Sequence, residues 1–449
     1  MAAQGPAAGG GAAVTRSGRA LRAGAAALLL TSVLCAQKSS PRGAAADEPP
    51  AVVRAESAMD QRQWGEAETI LRKLVAANPK DARAWFDLGY VMHALQNYPE
   101  AILAYRGAVA AEPESFECNL NLGLMLAHEN NPQAAVYLET ATRLRPTGEH
   151  PQESLARAWA ALAEVEQSGD GNRALDSWQH AVELAAGDAR LRLGYGEALE
   201  KSGDVAGAER EFRKAGDLAP GSTDATVALA NLFLRSKRLV EAEEMLRRLV
   251  LAAPQDEVAH LQLGRVLSAE EKNVEATLEL QKALALRADD WDALRELAFA
   301  QERGKQWLAA ESSYRKLLTQ FPNDADLHNG LASVLLPQLK YAEAQSEFIT
   351  CVRLRPERGE TYAQLALAAS GNKDYEFAIK ALDARAKLLP EIPGTYFLRA
   401  TCYDHLRQFG EAVKNYKAFL ALSNGQFPDD EWKARHRLMA IEPEATGKK

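Results

Sequence analysis

The feature that most constrains this chain is the spacing of its prolines. Pro79 and Pro113 lie 34 residues apart, Pro220 and Pro254 again 34, and Pro322, Pro356 and Pro390 keep the same step. Pro113 to Pro146 is 33, and the 68 residues from Pro254 to Pro322 make two periods with Ala288 on the middle beat. Between Pro146 and Pro220 the grid slips by a polar insert, Thr147 to Glu153 (TGEHPQE). A fixed period of this size means stacked supersecondary units in place of independent domains. The 449 residues therefore read as one quasi-one-dimensional body, not as the three or so domains their length alone would suggest.

Small and large residues hold the same register. With Ala82 as position 1 of the second unit, position 8 is Gly89, Gly123, Gly196 and Gly264, with alanine in most other units. Position 20 is alanine throughout, for example Ala101, Ala208, Ala242 and Ala344. Position 24 is bulky: Tyr105, Trp178, Phe212, Leu280. Two helices cross closely only where one presents Gly or Ala, and a large residue nearby fills the space beside the crossing. Leu88, Met92 and Leu95 form one apolar face at helical spacing, and Ile102, Tyr105 and Val109 another. The proline after each second helix stops it and redirects the chain. No window keeps a period-two alternation, so no strand is expected and the fold class is all-α.

The second unit presents Trp85, Leu88, Gly89, Met92, Ala101, Tyr105, Ala108 and Pro113; the fifth presents Gly196, Ala208, Phe212, Ala215 and Pro220. This pattern resembles the tetratricopeptide repeat family, and the resemblance runs over residues 48–426, about 11 repeats. It implies a right-handed superhelical solenoid of helical hairpins whose concave face is built from the first helices. Departures are local. The third unit is one residue short, the fourth lacks its proline, and the eleventh drifts at Asn424-Gly425. Residues 427–449 read as a C-terminal capping helix, near Asp429 to Ile441, followed by a tail.

Residues 1–46 are a different polymer. They hold Arg16, Arg19, Arg22, Lys38 and Arg42 and no acidic residue before Asp47. The uncharged run Ala23 to Ala36 spans about 21 Å as a helix, short of the roughly 30 Å hydrocarbon core. A secretory signal peptide with a linker is the leading reading, giving an exported protein, periplasmic or secreted and of bacterial type. Two alternatives stay open: a lipid anchor at Cys35, which Leu34 before it disfavours, or retention by an uncleaved anchor. Membrane association is expected only through this segment.

Sites for chemistry are sparse. The chain has no GxxxxGK[ST], GxSxG, HExxH or CxxC, and no metal or cofactor is expected, nor is enzymatic activity. Asp324 to Gly330 imitates a calcium loop, but its glycine is one place late and no glutamate follows at the twelfth position. His260 and His328, at position 4, read as half-buried packing residues, and Cys118, Cys351 and Cys402 as small buried hydrophobes. A net charge of −8 offers no basic surplus for a phosphate backbone, so nucleic acid is excluded as a partner.

The groove carries the functional reading. In the family resembled, positions 2, 5, 9, 12 and 13 of the first helices face the concave side. Here they are apolar or aromatic at first (Phe86, Tyr90, Leu120, Leu124, Trp159) and turn polar later (Asn231, Arg265, Arg295). Aromatic anchors beside polar groups suit an extended or helical peptide segment. The Lys/Asn/Asn/Lys/Arg set with which chaperone-binding relatives clamp a terminal carboxylate is not found. The expected function is a non-enzymatic protein–protein interaction scaffold. The alternative is an assembly or regulatory subunit that recruits a separate enzyme or cell-envelope complex.

Overall fold

The computed structural model describes residues 50–220 and 222–445. The leader, with Cys35, lies outside the described residues. Among those described there are 23 helices and no strand. Consecutive helices pair into hairpins, among them Pro50–Asp60 with Trp64–Ala77 and Pro393–His405 with Phe409–Ser423. The last, Pro428–Ala445, stands single and runs further at its C-terminal end than the sequence suggested. The polar insert Thr147 to Glu153 leads into the long helix Pro151–Glu166, whose Pro151 occupies its first turn.

Packing divides the chain into two compact units, one ending at Leu232 and the other beginning at Phe233, within the helix Thr223–Arg235. Each hairpin touches chiefly its neighbours, so an unbroken sequence period carries no mark of where the stack divides.

The small–large register is a steric contract within each hairpin. A methyl group added to Gly89 would come within 2.7 Å of the Tyr105 ring; on Gly196 it would meet Phe212 at 2.5 Å. Gly123 and Gly264 stand in the same way against Leu138 and Leu280, at 2.6 Å each. Position 8 of the first helix thus receives the large side chain at position 24 of the second. The alanines at position 20, Ala101, Ala208, Ala242 and Ala344, are fully buried beside that contact.

Larger rings reach further and need glycine in the next hairpin. Trp178 presses on Gly194, and Tyr314 on Gly330.

Joints between hairpins repeat a different device. The side chain at position 4 donates to the carbonyl six residues earlier, in the turn that enters the hairpin. Trp85 Nε1 bonds the oxygen of Pro79 at 3.0 Å, Asn119 Nδ2 that of Pro113 at 2.8 Å, and Tyr362 Oη that of Pro356 at 3.2 Å. Arg192 Nη2 bonds Ala186, which stands where the fourth unit lacks its proline, at 2.7 Å. His260 and His328 do the same through Nε2 to Pro254 and Pro322, while their Nδ1 atoms meet Glu279 and Glu347. These histidines satisfy turn carbonyls that proline leaves without a helical partner. The calcium-like stretch has an equally local explanation: Asp324 caps a helix by accepting from the amides of Asp326 and Leu327. Asp81, Ser115, Asp188, Asp256 and Asp290 cap other first helices in the same way.

Arginines at position 25 clamp adjacent second helices from outside. Arg72 bonds Glu68 on its own helix and Glu100 on the next. Arg247 joins Glu243 to Glu275, and Arg315 joins Glu311 to Glu343. The arginines are exposed and each pair is modest, about 0–1 kcal/mol.

The turn inside the hairpin is dictated by backbone. Position 15 has a left-handed conformation in ten hairpins: Arg62, Gln96, Asn130, Gly203, Lys237, Glu271, Lys305, Leu339, Lys373 and Arg407. Only one of these is glycine. Leu339, with φ of 60° and 68% of its surface exposed, bears the Cβ strain while burying little. Leu339→Gly is expected to raise stability by about 0.5 kcal/mol, the relieved strain exceeding the added freedom of the unfolded chain. A urea midpoint that does not rise would show the strain to be negligible.

Candidate functional site

First helices in the N-terminal unit carry a half-buried apolar row. Phe86 packs edge-on against Tyr105, ring centres 5.6 Å apart, and Tyr90 against Trp64 at 6.1 Å. Trp159 lies over the His180 ring at 4.5 Å, and Leu124 is half-buried on the core shared with Phe86. Leu120 does not belong to the row. Only 4% of it is exposed, so the side chain that sequence spacing placed at the surface is a core residue. Asn231 is half-buried in the helix Thr223–Arg235.

In the C-terminal unit the two expected cations are already engaged. Arg265 Nε bonds Glu296 of the next first helix at 3.0 Å. Arg295 Nη2 bonds Asp324 at 3.0 Å, with its guanidinium 5.8 Å from the centre of the Phe321 ring. Two apolar side chains stand out on this face. Phe299 and Leu367, both at position 9 of their helices, are 46% and 50% exposed. Sequence reasoning missed them. The signal was their occupying the position that Tyr90 and Leu124 hold earlier in the chain.

Two half-buried carboxyl groups lie along these helices. Burial, with the nearby Glu197 carboxylate, pushes Glu164 up to about 7. Burial also raises Glu302, which accepts a 2.5 Å hydrogen bond from the Tyr314 hydroxyl.

The remaining chemistry is structural. Burial pushes the Cys118 thiol up to about 11 and raises those of Cys351 and Cys402, which keeps them un-ionised at neutral pH. Among the described residues no group of three or more His, Cys, Asp or Glu side chains is arranged to hold a metal ion. No described helix is long and apolar enough to cross a membrane.

Three family models, each described as tetratricopeptide repeat, match the chain: the first at residues 52–116, 94–149 and 155–223, the second at 201–263, and the third at 292–324. No curated protein matches it. Among solved structures, a tetratricopeptide repeat protein from Parabacteroides merdae is 16% identical, covering 56% of this chain and 97% of its own, with a TM-score of 0.43. Yeast Tom70 is 12% identical, covering 88% of this chain and 96% of its own, with a TM-score of 0.35. MamA is 21% identical, covering 36% of this chain and 93% of its own, with a TM-score of 0.33. The repeat register, the hairpins it builds and the family matches over more than half of the sequence make one conclusion: the chain belongs to the tetratricopeptide repeat family of protein-interaction scaffolds.

Proposed function

We propose that the chain is a non-enzymatic scaffold that captures an extended or helical segment of a partner protein on its first helices. The observation that carries this reading is the row Phe86, Tyr90, Leu124 and Trp159. Phe86, Leu124 and Trp159 rest on the core and Tyr90 on Trp64, yet all keep part of their surface in water, the state of an anchor awaiting a partner. Phe299 and Leu367 extend the same chemistry to the C-terminal unit. Arg265 and Arg295 are paired internally and are not free to meet a partner's charge. The basic, acid-free leader supports an exported protein working outside the cytoplasm.

The double variant Phe86→Ala, Trp159→Ala tests the groove. Partner capture from envelope extract, read by quantitative proteomics, is expected to fall at least tenfold while far-UV circular dichroism stays unchanged. Undiminished capture by the folded variant would mean that these residues only line the stack.

A further inference from the structure

Asn424-Gly425, where the eleventh repeat departs from its register, is one of two asparagine–glycine pairs in the chain. This dipeptide has a chemistry of its own. The backbone nitrogen of the glycine can attack the asparagine Cγ, because no side chain on the glycine shields it. A nitrogen–Cγ bond forms, the Cγ–Nδ2 bond breaks, and ammonia leaves with the proton of the glycine amide. Water then opens the resulting succinimide to aspartate or isoaspartate.

Asn424 is open to water, yet the fold opposes that reaction in two ways. The residue ends the helix Phe409–Ser423 in the left-handed conformation, with φ of 50° and ψ of 37°. The ring closes only when Cβ and the Gly425 nitrogen lie on the same side of the Cα–C bond, and this ψ sets them on nearly opposite sides. The Gly425 N–H, which the attack must give up, donates to Glu431 Oε1 at 2.7 Å. Glu431 is buried in the first turn of the helix Pro428–Ala445. Hydrogen bonds from Ser423 and from the Gly425 amide hold its carboxyl below the ordinary value, so it keeps the amide proton in place and is a poor base to remove it.

We propose that Asn424-Gly425 is a self-modification site kept closed by Glu431: docking of the helix Pro428–Ala445 holds the Gly425 amide, and release of that helix lets the succinimide form. The product is not neutral to the fold. A new carboxylate at position 424 stands at the negative end of the helix Phe409–Ser423, one residue from the amide that the Glu431 carboxylate holds, and both repel it. Isoaspartate also adds a carbon to the backbone of the turn. A transient release of the helix is thereby converted into a lasting one. The proposal goes beyond the groove reading and does not rest on it.

Peptide mapping of the whole chain by mass spectrometry, during incubation at neutral pH and physiological temperature, tests it. The second pair, Asn329-Gly330, is an internal reference. Gly330 lies inside the helix Ala325–Leu335, whose backbone bonds hold its N–H until that repeat unfolds. In urea both pairs are expected to deamidate at comparable rates. In the folded parent Asn424 is expected to react at least about tenfold more slowly than in urea, the weight of one hydrogen bond to a charged group. Glu431→Ala is expected to restore most of the lost rate at Asn424 while Asn329 stays unmodified. Glu431→Gln, which keeps an acceptor, is expected to react more slowly than Glu431→Ala. A folded parent that loses Asn424 as fast as in urea overturns the proposal, and so does a Glu431→Ala chain as slow as the parent. Equal modification of Asn329 in Glu431→Ala overturns it too, since the lock is then not local.

Discussion

Gly89→Leu is expected to lower the stability of the N-terminal unit by about 1–3 kcal/mol, even after the better helix propensity of leucine is subtracted. The Tyr105 ring already stands where the first added carbon would go, and Tyr105 is itself fully buried between helices. Neither group can yield without parting the two helices. Gly196→Leu, set against Phe212, is expected to behave alike. Gly65→Leu is the control, since a methyl group there meets nothing within 4 Å. Urea unfolding reads all three. A Gly89→Leu midpoint equal to that of Gly65→Leu would dismiss the steric contract between positions 8 and 24.

The second large effect depends on pH. The Glu164 carboxyl has an ordinary value of 4.5 and is raised to about 7 in the fold, first by burial and then by Glu197. Between those values the folded state binds more protons than the unfolded one. The contribution of Glu164 to stability is therefore whole below pH 4.5 and is lost as pH rises through about 7, on the order of 2–3 kcal/mol. Glu164→Gln is expected to be more stable than the parent at pH 8 and to approach it near pH 5. Other groups titrate too: Glu302 is raised in the same sense, while Glu279 and Glu311 are lowered by their hydrogen-bonded basic neighbours despite the opposing effect of burial. The informative quantity is the difference between parent and variant across the range. A difference that does not change with pH would show Glu164 to be well solvated.

How much of this was legible in the sequence depends on which residues touch. The hairpins and their crossings were written in a fixed register, because Gly89 and Tyr105 belong to one repeat and recur as a pair in the next. Position 4 was harder. Trp85, Asn119, Arg192, His260, His328 and Tyr362 share neither size nor charge, only a donor at the same reach, and a pattern of residue types does not display that. The glycines at Gly194 and Gly330 answer rings in a different hairpin, so their meaning appears only once the hairpins are stacked. Along the groove, spacing gave the face but not the depth. Leu120 and Leu124 are one helical turn apart, yet one is core and the other half in water. Arg265 and Arg295 were recognised as surface cations, but their partners Glu296 and Asp324 lie about 30 residues away and appear only in the folded stack.

The outer arginine clamps have a mechanical corollary. In the C-terminal unit Arg247 and Arg315 each tie a second helix to the next, but the equivalent place between them is held by Gln281, which cannot form the ion pair. Clamped and unclamped joints therefore follow one another along that outer edge. The seam beyond Gln281 is thus held by packing without that clamp, and raising the salt concentration weakens the clamps on either side of it.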